Sequence, residues 1–68
     1  MKPYFLFVED DRYTVPTLDT INAHDDERAI AHAAKRLAAS SHYRAIEIWE
    51  DERLVARLTR ADLDPTSA

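Results

Sequence analysis

A chain of 68 residues with no cysteine and a formal net charge of −4 has room for one domain and no disulfide or thiolate–metal site. The acidic balance argues against a nucleic-acid module, which needs a basic patch to neutralise phosphates. The sequence also lacks glycine, which removes the phosphate-cradling P-loop and dinucleotide fingerprints and leaves tight turns to Asp, Asn or strained ordinary residues.

The first apolar run, Tyr4-Phe5-Leu6-Phe7-Val8, is aromatic-rich and short, and predicts a strand. Both alternating sets are apolar, Tyr4, Leu6 and Val8 on one side and Phe5 and Phe7 on the other. The opening "MKPYFLFVEDD" lacks the long apolar segment and small-residue cleavage site of a signal peptide. No run reaches the roughly 18 apolar residues of a membrane span, so the expectation is a cytoplasmic protein. "EDDR" at 9–12 follows as a turn, and "YTVPTLDTINA" as an extended segment. Pro16 cannot donate a ladder hydrogen bond, so this second strand is expected at a sheet edge or interrupted at that proline.

"HDDERAIAHAAKRLAAS" carries the clearest helix signal. Asp25 is placed to cap it, Asp26 and Glu27 put negative charge in its first turn, and Lys35 and Arg36 lie in its later part. Ile30, Ala33, Ala34 and Leu37 form an apolar stripe at helical spacing. A stripe made mostly of alanine suits a helix laid closely across a sheet. Two more strands follow, "YRAIEIWE" and "RLVARLT", joined through "EDER". The expected fold is α+β, a four-stranded antiparallel sheet with one helix on one face in the order ββαββ. Its single domain spans residues 1–60, and 61–68 reads as a polar, frayed tail.

One helix covers one face of such a sheet and leaves the other to solvent or a partner. Which residues occupy that second face depends on the last hairpin. A two-residue loop puts Trp49 on a face with Leu54, Ala56 and Leu58, and sets Ile46 and Ile48 with Val55. A three-residue loop, 51–53, sets Glu47 opposite Arg57, collects Ile46, Ile48, Leu54, Ala56 and Leu58 on one face, and pairs Trp49 with Val55 on the other. Cross-strand charge pairs and aromatic–β-branched pairs contribute roughly 0.2–1 kcal/mol each, which favours the second register. It asks Arg53 or a neighbour for a left-handed backbone without glycine. In either register the apolar residues exceed what the helix covers. The open face is then an interaction surface carried by Trp49 and Val55 with Phe5 and Phe7 behind them, or these rings pack as a small cluster under the 10–17 segment.

Constellations that carry chemistry are sparse. His24, His32 and His42 have no metal-ligand spacing and no cysteine to join them. His42 is expected near the negative end of the helix. Ser40 and Ser41 beside His42 read as helix-end caps, since a nucleophile needs a base within reach and an acid behind it. The carboxylate runs 9–11 and 25–27 read as a turn and a helix start, not as a calcium loop. Arg44, Arg53, Arg57 and Arg60, interspersed with Glu47, Glu50 and Glu52, read as a solvated, salt-bridged face. No catalytic, cofactor-binding or metal residues are assigned, and the expectation is a non-enzymatic protein.

With these residues laid out, "YFLFVEDD…AHDDERAIAHAAKRL…AIEIWEDERLVARL" resembles a group of small bacterial proteins. They share an aromatic first strand, a D-D-x-x-A-I helix start and an I-E-I-W…R-L-V-A-R-L hairpin. The resemblance spans roughly residues 4–58, its motifs are structural, and it implies no activity. The group carries glycine in the turn where this chain has Asp51. "EDDRYTVPTLDT" followed by "DDERAIAHAAKRL" is similar to the N-terminal domains of HicB-type antitoxins, which neutralise a small toxin partner. The proline–glycine–cysteine stretch of those domains is missing here.

A core this small rarely supplies more than roughly 3–5 kcal/mol of net stability, so self-association is one of the few reinforcements left. The sequence therefore predicts a small protein–protein interaction module, a homodimer or the binder of another protein through its sheet. A regulator of the HicB antitoxin kind is the alternative.

Overall fold

In the computed structural model, which describes residues 1–63, β1 (Lys2–Asp10) and β2 (Thr17–Ala23) form a hairpin, and α1 (Asp26–Ala38) follows. A second hairpin, β3 (Tyr43–Glu50) and β4 (Arg53–Thr59), precedes a one-turn helix, α2 (Arg60–Leu63). The strands form one antiparallel sheet in the order β2-β1-β3-β4. The ββαββ order with one main helix is the architecture the sequence predicts.

β2 is an edge strand, and it starts at Thr17, directly after Pro16, so residues 13–16 stay outside the ladder. That placement spares the sheet a position without a donor. α1 starts where the sequence places it. Asp25 is extended (φ −155°) and its Oδ1 accepts the Arg28 N–H at 2.8 Å, while Asp26 and Glu27 fill the first turn and Lys35 and Arg36 the last. The buried stripe is Ala29, Ala33 and Leu37, with Ile30 packed at its margin. Its centre is therefore rotated toward Ala29 relative to the Ile30–Ala33–Ala34–Leu37 stripe expected from spacing, and Ala34 is half-buried.

The helix packs on Tyr4, Leu6 and Val8 of β1 and Ile46 and Ile48 of β3, all at 0–1% exposure. Alanines at the contact let the helix approach closely. One polar network holds its N-terminus to the sheet. The buried Tyr4 hydroxyl donates to Asp26 Oδ1 at 2.8 Å, and Arg53 donates to both Asp26 oxygens at 2.9 and 3.0 Å and to Glu50. Burial, then the Asp26 hydrogen bond and charge, pushes the Tyr4 phenol up to about 12. Arg53 and then Tyr4 pull the Asp26 carboxyl below the usual range.

Without a glycine cap, α1 ends with Ala39 still in right-handed backbone (φ −71°), its N–H donating to Arg36 O. Arg60 Nη1 donates to the carbonyls of Leu37 (2.7 Å) and Ser40 (3.1 Å), so a guanidinium closes the helix end. Residues 61–63, the start of the expected tail, complete α2, and Leu63 packs against the core. The rest of the expected tail, 64–68, lies outside the described residues. His42 follows the end of α1, as expected, and its ring turns to the β1–β2 loop. Its Nδ1 meets Asp11 Oδ1 at 2.9 Å, and its backbone carbonyl accepts the Asp11 N–H at 2.9 Å, tying the β1–β2 loop to the start of β3.

Candidate functional site

The hairpin register decides which side chains face away from α1, and the structure combines both registers considered for it. Glu50 pairs with Arg53 and Trp49 with Leu54, which makes the turn a two-residue loop, Asp51–Glu52. From Ile48 onward the pairs are Ile48 with Ala56, Glu47 with Arg57 and Ile46 with Leu58, the ladder of a three-residue loop. A β-bulge at Val55 absorbs the difference. The left-handed residue is Asp51 (φ 53°), not Arg53 or its neighbour. The positive φ that glycine would supply thus falls on a residue type that tolerates it.

This corrects two expected placements. Val55 does not pair with Trp49; as the extra residue of the bulge it packs against the core side. Leu54 does not join Ile46 and Ile48; it stands opposite Trp49 and is 48% exposed. Trp49, Phe5 and Phe7 do share the open face, as the sequence predicts.

Reading across the strands gives two rows of open-face side chains. One runs Thr20, Phe5, Trp49, Leu54, and the next Leu18, Phe7, Glu47, Arg57. Phe5 lies directly opposite Trp49, and all three rings are half-buried. Between them lies an open groove of ≈ 700 Å³ floored by Phe5, Phe7 and Trp49. By register it follows β1, with Asp51 at the Trp49 end and Glu9 and Pro16 at the other. The cluster reading set these rings under the 10–17 segment. Of that segment Pro16 lines the groove, while Tyr13 and Val15 are 61% and 69% exposed and form no lid.

Charged groups border the aromatic floor on one side. Trp49 Nε1–H donates to Glu47 Oε1 at 3.1 Å, so a carboxylate fixes the indole edge. Arg57 donates to Glu47 Oε2 at 3.5 Å and, more closely, to Glu9 across β3. Ala45, which pairs with Glu9, presents only a methyl group beneath this bridge. It is 2% exposed yet outside the core cluster, as expected of a residue covered from the open side. Glu9 and then Glu47 raise the Arg57 guanidinium further above its ordinary range.

The other constellations resolve into structural roles. The arginines of β4 and α2 diverge: Arg53 joins the helix N-terminus, Arg57 bridges the open face, and Arg60, the first residue of α2, caps α1. Ser40 Oγ accepts the His42 backbone N–H at 3.2 Å, a local cap. Among the described residues, no three or more His, Cys, Asp or Glu side chains cluster as a metal site would require, and no helix is long and apolar enough to cross a membrane. The Trp49–Glu47–Arg57–Glu9 chain is not legible as a unit in the sequence. The sequence offered the Glu47–Arg57 pair as a register signal, but the reach from Arg57 to Glu9 depends on β3 lying between β1 and β4. Comparison with family models, with curated proteins and with solved structures finds no match to the chain.

Proposed function

We propose that the protein is a small, non-enzymatic interaction module that docks another protein chain on the open face of its sheet. The observation that supports this reading is the aromatic set Phe5, Phe7 and Trp49. These rings share the face opposite α1 and line a groove that no other element among the described residues covers. Aromatic rings, tryptophan above all, supply much of the binding energy where proteins meet. The small core adds a reason to bind, because an associated chain would hide apolar surface that the domain cannot cover itself. A second copy is one chemical form that such a partner takes.

The test pairs folding with association. Wild type and Trp49→Lys are compared by circular dichroism and sedimentation equilibrium, alone and after incubation with extract of the source cells. Both are expected to fold. Wild type is expected to sediment above the monomer mass or to retain a partner, and the variant to do neither. An unfolded variant would make Trp49 a core residue and end the proposal. So would a wild type that behaves as an unpartnered monomer throughout.

A further inference from the structure

The groove is an apolar floor with an unbalanced charged border. Three carboxylates line it, Glu9, Glu47 and Asp51, against one guanidinium, Arg57. Arg57 is shared between Glu9 and Glu47, so one cation serves two anions, and Asp51 adds a third from the turn. The adjoining hollow toward the 11–16 loop contains Arg44, but it also brings Asp10 and Asp11 beside Glu9. Resting on the interaction reading above, we propose that the occupant is an extended segment of a partner protein carrying lysine or arginine between apolar residues. Its cation would lie between the Trp49 ring and the Glu47 and Glu9 carboxylates.

Three features fit that occupant together. The first is charge: a cation delivered beside Arg57 completes a set that is short of positive charge, whereas an acidic segment meets three carboxylates. The second is the ring. Tryptophan is the best aromatic partner for a cation. Among the described residues, guanidinium groups lie over Tyr13 (Arg12, 5.6 Å) and Tyr43 (Arg36, 5.9 Å), and the groove rings carry none. The third is shape. The groove follows β1 from Phe5 to Glu9, a rise of about 13 Å for extended chain. That length takes a short extended stretch whose alternate side chains face down.

A second copy of this chain fits less well in a face-to-face arrangement. Two such borders would bring six carboxylates and two guanidinium groups to one interface. Like charges so placed oppose association.

Trp49 is the chain's single tryptophan, so its emission reports on the groove. The experiment titrates wild type with two end-blocked hexapeptides, one alternating valine with lysine and one alternating valine with glutamate. Emission and titration calorimetry are read at low and moderate salt. The lysine peptide is expected to bind saturably and more weakly as salt rises, and the glutamate peptide not to bind. The double variant Glu9→Gln, Glu47→Gln is expected to weaken lysine-peptide binding roughly tenfold while its circular dichroism stays native. Should that variant unfold, Asp51→Asn serves in its place, with a smaller expected loss of about threefold.

Equal binding of both peptides, no binding of either, or lysine-peptide affinity untouched in the variants would overturn the inference. A concentration-dependent doubling of mass that excludes the lysine peptide and is lost in Trp49→Lys would also overturn it. In that last case the occupant is a second copy, and the open face still docks a protein. Unfolding of Trp49→Lys, by contrast, would bring down the interaction reading itself.

Discussion

Leu6 and Phe5 are neighbours on one strand, yet they end in different surroundings, and so do the two faces of the sheet they stand on. Leu6 pairs with Ile48 under α1 at 0% exposure; Phe5 pairs with Trp49 on the open side and stays half-buried. Trp49 and both phenylalanines are on the side that no element among the described residues covers. The helix explains that distribution. Its contact stripe of Ala29, Ala33 and Leu37 brings it close to the sheet, and the strand side chains sealed beneath it are Leu6, Val8, Ile46 and Ile48 with one tyrosine, Tyr4. Two tyrosines stand on the covered side: the Tyr4 hydroxyl finds Asp26 at the helix N-terminus, and Tyr43 packs at the core margin with Arg36 over its ring. Burial here follows what lies above a position more than how apolar the residue is.

Truncation at these two positions is the strongest way to break the comparison. Leu6→Ala removes a side chain sealed on all sides and should cost about 2–5 kcal/mol. For a domain of this size that is most or all of the stability. Phe5→Ala removes a half-solvated ring and its cross-strand partner contact, worth about 1 kcal/mol or less. Urea denaturation followed by circular dichroism should show Leu6→Ala without a folded baseline, and Phe5→Ala with only a lowered midpoint. Comparable losses at both positions would mean that the open face is part of the core.

Acid sharpens the contrast at the far end of β1, where Glu9 faces the groove and Asp10 is buried at 6% exposure. Asp10 accepts from Arg12 N (2.8 Å), Nε (3.0 Å) and Nη2 (2.7 Å). The hydrogen bonds to the Arg12 side chain are the main cause holding its carboxyl down at about 2, against an ordinary 3.8. A carboxyl depressed by folding contributes stability that is fully present above the ordinary value and is lost as pH falls toward the folded one. The urea midpoint of wild type should therefore drop between pH 3.8 and about 2. Asp26, depressed by Arg53 and Tyr4, adds to the same trend. Asp10→Asn should start from a lower midpoint at neutral pH and fall less steeply across that window. Parallel curves for the two proteins would remove Asp10 from the account.

Much of this comparison is legible in the sequence because it rests on local rules. The period-two pattern of residues 4–8 separates Phe5 and Phe7 from Tyr4, Leu6 and Val8, and the Asp25 cap and alanine stripe locate α1. The hairpin is less legible, because both candidate registers are internally consistent and the chain uses each over part of its length. A bulge leaves no mark in a pattern of apolar and polar residues, so the favoured three-residue register puts Val55 and Leu54 on each other's faces, while the two-residue register misplaces Ala56 and Leu58 instead. The Glu9–Arg57 bridge and the Arg60 cap on Leu37 and Ser40 link residues far apart in sequence. Strand order and helix docking create those contacts, and neither is written at either end of the pair.

The smallest expected effect lies in the turn that sets the open face. Asp51 holds φ at 53°, a region where an ordinary residue pays about 1–2 kcal/mol and aspartate less. Asp51→Gly removes that strain but adds unfolded-state freedom worth about 0.5–1 kcal/mol. The two terms nearly cancel, and the urea midpoint should rise by the equivalent of about 0.5 kcal/mol or less. Asp51→Val keeps the strain and worsens it, because a β-branched side chain is poorly tolerated at positive φ; its midpoint should fall. Trp49 emission separates two routes by which the valine variant could yield. If the two-residue turn survives, emission stays near that of wild type. If the chain moves the left-handed residue by adopting the three-residue loop throughout, the Val55 bulge is lost. Leu54 then turns under the helix, Val55 comes up beside Trp49, and the emission shifts with it. The face that Trp49 shares with Leu54 thus depends on one aspartate tolerating a backbone conformation usually left to glycine.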